Sequence, residues 1–258
     1  TAIGVLEYLH NSEKIKKSLF EKIVGRISFF VNSGMRFVTE TAKMASFTEL
    51  WDEICSKRFK ISDPKYRRFR YGMQVNSLGL TELQPENNVY RILIQMLPVV
   101  IAKNSRARAV QLPAWNEALG LPRPWDQQWS LRLQQIMAYE TDLLEFSDIF
   151  EGSKVLKEKI KHLKKSAHDQ LSKIDKIGGL IPAIENGYLK SQLVESQTNR
   201  QKNIEQGEQK VVGVNCFSEG ENSPLVNEKD GGFMKVNDKA EKTQINNVKS
   251  WKEKRNNK

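Results

Sequence analysis

Arg26 and Ser28, in the run VGRISFF, stand two residues apart among residues that favour a β-strand, so both side chains leave one strand face while Ile27 and Phe29 leave the other. An arginine and a hydroxyl aligned in this way can grip a polar or anionic chain. The guanidinium offers charge-assisted hydrogen bonds in a fork geometry that lysine cannot copy. The same spacing also suits an arginine paired with a carboxylate at a strand end, and pattern alone leaves both readings open. Gly72, Gln74 and Asn76 alternate with Met73 and Val75, which gives a second strand one small or polar face, the kind of wall a ligand can lie against. Glu117 and Gly120, in NEALG, read as the first turn of a short helix. There a carboxylate is favourable dipole chemistry, and a glycine permits close backbone approach.

Other chemistries find no support. No Ser/His/Asp or Cys/His set, no zinc spacing and no phosphate-binding glycine loop is present. His10, His162 and His168 sit on no strand end, and the last two lie six apart on a lysine-rich helix, off a common face. The two cysteines, Cys55 and Cys216, make no disulfide framework, and Cys55 falls in an amphipathic run where it reads as a small buried hydrophobe. A net charge of +10 invites a nucleic-acid reading. Its distribution argues otherwise, because the excess lies in residues 154–176, where lysines are interspersed with a few acidic residues and an apolar stripe, and in an Asn-rich tail. No apolar run approaches the roughly 18 residues of a membrane span, and no signal peptide opens the chain. The expectation is a cytoplasmic protein with neither a nucleic-acid nor a membrane partner.

The elements that must position these residues follow from periodicity. Residues 2–9 and a short turn to residue 23 are helical. Strands are predicted over 26–31, 68–76 and 107–112, separated by a helix over 35–57 and another from Pro85 through Ala102 that Pro98 should kink or end. Strand, helix, strand, helix, strand is the rhythm of a parallel sheet, and α/β barrels place their sites on the loops after the strands. Beyond residue 114 the pattern turns helical. It reads as a short helix over 115–121, others over 125–146 and from the Ser153 cap to Gly178-Gly179, then 188–206, and a short strand over 211–217. Residues 218–258 lack periodicity apart from a weak helix near 244–254 and read as a flexible linker. Trp115, Trp125 and Trp129 are expected to pack the helices under the sheet.

Three segments together, VGRISFF, RRFRYGMQVNSLGLTELQPENN and QLPAWNEALGLPRPWDQQWS, closely resemble the substrate-binding barrel of the adenosylcobalamin-dependent acyl-CoA mutases, the methylmalonyl-CoA mutase family. The resemblance spans about residues 1–217. It implies an α/β fold, the carboxyl-terminal part of a (β/α)8 TIM barrel with about three parallel strands (1–114), a mainly helical extension (115–217), and a linker (218–258) toward a cobalamin-binding domain. By this likeness Arg26 and Ser28 lie on the sixth barrel strand and contact the coenzyme A chain. An interior normally filled by bulky branched residues would there admit something polar. Gln74 matches a glutamine near the substrate carbonyl. Gly72 stands where methylmalonyl-CoA mutases carry histidine, which leaves room for a larger C2 branch. Ser77, Glu117 and Gly120 match positions that meet adenosylcobalamin.

The implied activity is a radical carbon-skeleton isomerisation, with ethylmalonyl-CoA converted to methylsuccinyl-CoA. Methylmalonyl-CoA and hydroxyisobutyryl-CoA are the alternatives within the family, and a non-catalytic subunit that completes a barrel with a partner chain is the alternative outside it. Implied partners are the acyl-CoA, a cobalamin domain in the same or a separate chain, and a second copy in a homodimer. The family's Tyr-His-x-Gln motif is expected before Thr1, and its Asp-x-His-x-x-Gly loop, whose histidine ligates cobalt, after Lys258. The resemblance therefore assigns no catalytic and no metal-ligating residue within the chain, which on its own is expected to be poorly stable and inert.

Overall fold

The computed structural model describes residues 1–12, 15–228, 231–235 and 237–255. Its first half is built as strand and helix in alternation: α1 (Ala2–Asn11), α2 (Lys17–Val24), β1 (Phe29–Ser33), α3 (Phe37–Lys57), β2 (Tyr71–Val75), α4 (Asn87–Ile101) and β3 (Val110–Gln111). The strands form one parallel sheet in the order β1-β2-β3, with Phe30 beside Gly72, Asn32 beside Gln74, and Gln74 beside Gln111. Period-two alternation decides which face is covered. Tyr71, Met73 and Val75 are buried and pack, with Met44 of α3 and with Val99 and Ala102 at the end of α4, into the core behind the sheet. Phe69 stacks between Phe29 at 4.5 Å and Phe47 at 5.4 Å in the same layer. A neighbouring core joins Leu6, Phe20 and Val24 to Trp51, Ile54 and Cys55. The chain is thus α/β with three parallel strands in an open sheet, the geometry of part of a TIM barrel.

Strand β1 starts later than predicted. After α2, the amides of Arg26 and Ile27 bond back to the carbonyls of Ile23 and Val24, which holds residues 25–27 as the end of the helix. The ladder opens only at Phe29, whose N–H donates to Arg70 O at 2.8 Å. Arg26 and Ser28 therefore precede the strand, while Asn32 and Ser33, expected in a turn, extend it. Helix α4 begins at Asn87, after Pro85 has closed a turn with Asn88, and runs through Pro98 to stop at Ala102 within a turn. Without an N–H, Pro98 cannot bond the preceding turn, so the helix loses its hold there.

The second half is α5 (Pro124–Tyr139), α6 (Lys154–Ile177), α7 (Leu180–Glu185), α8 (Tyr188–Glu205) and α9 (Asp238–Lys254). Ser153 Oγ accepts from Leu156 N at the start of α6, and Gly178, at φ +105°, stops it in the left-handed conformation that glycine alone adopts freely. Helix α6 buries none of its residues and lies along α3 through ion pairs: Lys164 with Glu49 and Glu53, and Arg58 with Asp175. Two predicted elements do not form. Residues 115–121 are successive turns, and 211–217 is a loop with a single bridge between Val212 and Cys216, because Gly213 and Phe217 take positive φ values that no strand tolerates. Helix α5 ends at Tyr139 rather than near 146. Of the tryptophans, Trp115 is buried, but Trp125 and Trp129 are exposed. In the tail, Leu225 joins the core of Val75, Ile92 and Trp115, and Met234 N–H donates to Leu121 O. No helix among the described residues is long and apolar enough to cross a membrane.

Candidate substrate and cofactor face

The helices cover one side of the sheet, so every second strand residue is left on the other. Ser28, Phe30 and Asn32 are exposed there along the β1 segment, with Gly72 and Gln74 half-buried on β2 and Gln111 exposed on β3. Gly72 is placed by its register partner. A Cβ at position 72 would lie 3.1 Å from Phe30 Cδ2 and 3.2 Å from Cε2, a tight approach that the ring would have to ease by a few tenths of an ångström. Arg26 is exposed at the head of this face, in the turn that leaves α2, and its guanidinium makes no hydrogen bond or ion pair to any described residue. The reading of Arg26 as one half of a strand-end ion pair is therefore not realised among those residues. Asn76 leaves the wall. Its side chain turns into the loop and accepts from Leu78 N at 3.0 Å.

Ser77 and Glu117 lie past the carboxyl ends of β2 and β3, both half-buried, in loops tied together by one buried asparagine. Asn88, fully buried, donates from Nδ2 to Thr81 O and to Trp115 O, while its Oδ1 accepts from Thr81 N and from the Arg91 guanidinium. Arg91 also donates to Thr81 Oγ1 and to Val212 O; burial pulls its pKa down from the ordinary arginine value. Glu117 sits in a turn, not a helix: its N–H donates to Ala114 O, and Leu119 N–H to Asn116 O. Gly120 follows at φ +154°, and a Cβ there would lie 2.6 Å from Phe233 Cδ2. The close approach that this glycine permits is occupied by the chain's own Phe233. The next element is anchored by Asp126. Burial raises its carboxyl pKa, but hydrogen bonds from Arg123 outweigh this and hold it below the usual range.

Period-two reasoning carried one step further reaches the residues missed in the sequence. Phe30 and Asn32 continue the Ser28 face, and Asn32, Gln74 and Gln111 form a row of three amides across the sheet. A groove of about 520 Å³ beside this loop, lined by Leu78, Tyr90, Arg91, Arg200 and Val212 among others, contains none of the predicted site residues. Those on the strands lie on an open face instead. Among the described residues no group of three His, Cys, Asp or Glu could hold a metal ion, and His10, His162 and His168 are all exposed.

Comparison with known proteins agrees with this arrangement of elements. The family model for methylmalonyl-CoA mutase matches residues 4–258. The chain is 57% identical over 252 residues to ethylmalonyl-CoA mutase of Cereibacter sphaeroides, covering 98% of this chain and 38% of the relative. The ethylmalonyl-CoA mutase of Methylorubrum extorquens is 56% identical over 254 residues, 98% of this chain and 37% of that protein. Methylmalonyl-CoA mutase of Escherichia coli is 32% identical over 192 residues, 74% and 26% of the two chains. The chain thus spans less than two-fifths of the length of these two ethylmalonyl-CoA mutases. With a family match that runs over nearly its whole length, the chain belongs to the methylmalonyl-CoA mutase family.

Proposed function

We propose that this chain forms the carboxyl-terminal part of the substrate barrel of an acyl-CoA mutase that converts ethylmalonyl-CoA to methylsuccinyl-CoA with adenosylcobalamin. The observation that carries this reading is the sheet face turned away from the helices. Around Phe30 it is small and polar, at Ser28, Asn32, Gly72 and Gln74, where a closed barrel is ordinarily filled with branched apolar side chains. Arg26 and Ser28 bind the coenzyme A chain, Gln74 orients the acyl carbonyl, and Gly72 borders the C2 branch. Arg26 suits this role because its donors are not engaged by any described carboxylate.

Ser77 and Glu117 fit a contact with adenosylcobalamin, since both are partly accessible on the loops that follow the strands. Gly120 fits less directly, because Phe233 lies against it. The bound cofactor supplies the radical chemistry, while the residues of this chain hold the acyl group in place and keep water from it. A cobalamin domain, on the same or another chain, a second copy in a dimer, and a cytoplasmic setting belong to the same reading.

The test is an assay of the complete protein with adenosylcobalamin and either ethylmalonyl-CoA or methylmalonyl-CoA. Ethylmalonyl-CoA is expected to be preferred in kcat/KM by about tenfold or more, the worth of one methylene in a fitted pocket. A preference for methylmalonyl-CoA would overturn the substrate assignment, and no isomerisation of either would overturn the activity.

A further inference from the structure

We infer that Phe30, acting as a pair with Gly72, sets the size of the C2 branch that the acyl pocket accepts. The inference rests on reading the helix-averted sheet face as the substrate face. On that face a missing side chain at 72 does not simply leave a void. Phe30 is the register partner of Gly72 on β1, and the edge of its ring closes the gap to within 3.1–3.2 Å of where a Cβ would stand. Phe30 and any side chain at 72 therefore compete for one volume, and neither position alone defines the wall.

The contrast with its neighbour sharpens the point. Phe29 turns the other way and stacks on Phe69 in the core, whereas the Phe30 ring is 60% exposed on the open face. An aromatic side chain left that accessible forgoes much of the stabilisation that burial would return, so it offers apolar surface to whatever lies on that face. Ser28 precedes it by two residues on the same side, and Gln74 lies diagonally across from it on β2. An acyl-CoA whose chain meets Ser28 and whose carbonyl meets Gln74 has its C2 substituent beside Phe30.

The experiment uses the complete enzyme with adenosylcobalamin and measures kcat/KM for methylmalonyl-, ethylmalonyl- and propylmalonyl-CoA in the wild type, Phe30→Ala, Phe30→Leu, Gly72→Ala and the double variant Phe30→Ala/Gly72→Ala. Phe30→Ala is expected to raise the propylmalonyl-to-ethylmalonyl ratio about tenfold or more, and Phe30→Leu by less in the same direction. Gly72→Ala is expected to lower the ethylmalonyl-to-methylmalonyl ratio, and to do so at least about threefold less when Phe30 is already alanine. Because each ratio is taken on one preparation, any loss of folded enzyme cancels. If Phe30→Ala abolishes turnover, the same ratio is read from dissociation constants by calorimetry.

Ratios that do not move in either Phe30 variant, while the wild type turns over ethylmalonyl-CoA, overturn the inference and leave the proposed function standing. A wild type that isomerises none of the three overturns the proposed function, and the inference with it.

Discussion

In the proposed function Gly72 and Arg26 make opposite kinds of contribution, and their variants separate them. Histidine at 72 must displace the Phe30 ring and, in the proposed acyl pocket, narrow the space beside the C2 branch. Gly72→His is therefore expected to shift the ethylmalonyl-to-methylmalonyl efficiency ratio toward the smaller substrate by at least about tenfold, and an unmoved ratio would refute the role of that gap. Arg26 stands at the edge of the face, where the proposed function has it grip the coenzyme A chain and not the reacting carbons. Arg26→Lys keeps the charge but loses the fork, so steady-state kinetics should show KM for the acyl-CoA rising about tenfold with kcat changed far less. A matching fall in kcat would place Arg26 in the transition state instead. At this scale the sequence was legible wherever alternation holds: Gly72 and Gln74 share a face as expected. It did not disclose that Phe30 leans over Gly72, since that contact needs the register of two strands some forty residues apart. Nor did it disclose that Phe233 fills the approach at Gly120, a contact made from far along the chain.

Among the elements, the loops after β2 and β3 are held by Asn88 more than by their own propensities. Four hydrogen bonds converge on its buried amide. Asn88→Ala leaves Thr81 O, Trp115 O and Thr81 N without this partner, at roughly 1–3 kcal/mol for each group that stays buried. A loss of about 3 kcal/mol or more is expected in urea unfolding of the complete protein, together with weaker cofactor binding at the loops of Ser77 and Glu117. A change below 1 kcal/mol would show that the loops stand without it. Strand β2 and helices α3 and α6 were readable because their periodicity is strong. Strand β1 was misplaced by three residues at its start because the β-favouring Ile27 lies in a turn that α2 imposes through Arg26 and Ile27. The supposed strand over 211–217 failed for a comparable reason: positive φ at Gly213 and Phe217 overrides the preference of its valines for an extended chain.

For the whole molecule, the open sheet is the decisive feature. Among the described residues β1 and β3 each have one unpaired edge, and Phe30, Tyr139 and Leu193 are among the large apolar side chains exposed. The 258-residue chain purified alone should therefore bind a hydrophobic dye and scatter light at micromolar concentration; a dye-negative monomer would contradict this. Alkaline stability is a second whole-molecule property. Burial pushes the Cys55 thiol from its ordinary 9.0 up to about 12, and burial raises the Tyr71 phenol too. The unfolded chain then releases the thiol proton near pH 9 while the fold retains it, so stability is complete below pH 9 and drains away as pH climbs toward 12. The urea midpoint of the complete protein should fall between pH 8 and pH 11, and Cys55→Ala should flatten that fall; an equal slope in both proteins would clear the thiol.

The crossing of the tail over the turn after β3 has one more consequence. Phe233 presses on Gly120, Gly232 O takes a hydrogen bond from Asn116 at 2.7 Å, and Met234 is latched to Leu121. Traction on the polypeptide downstream of Met234 is therefore delivered to the turn, from Asn116 to Leu121, that carries Glu117. The stretch around Met234 and the turn after β3 are geared to one another through the Phe233 ring and the hydrogen bonds at Gly232 and Met234.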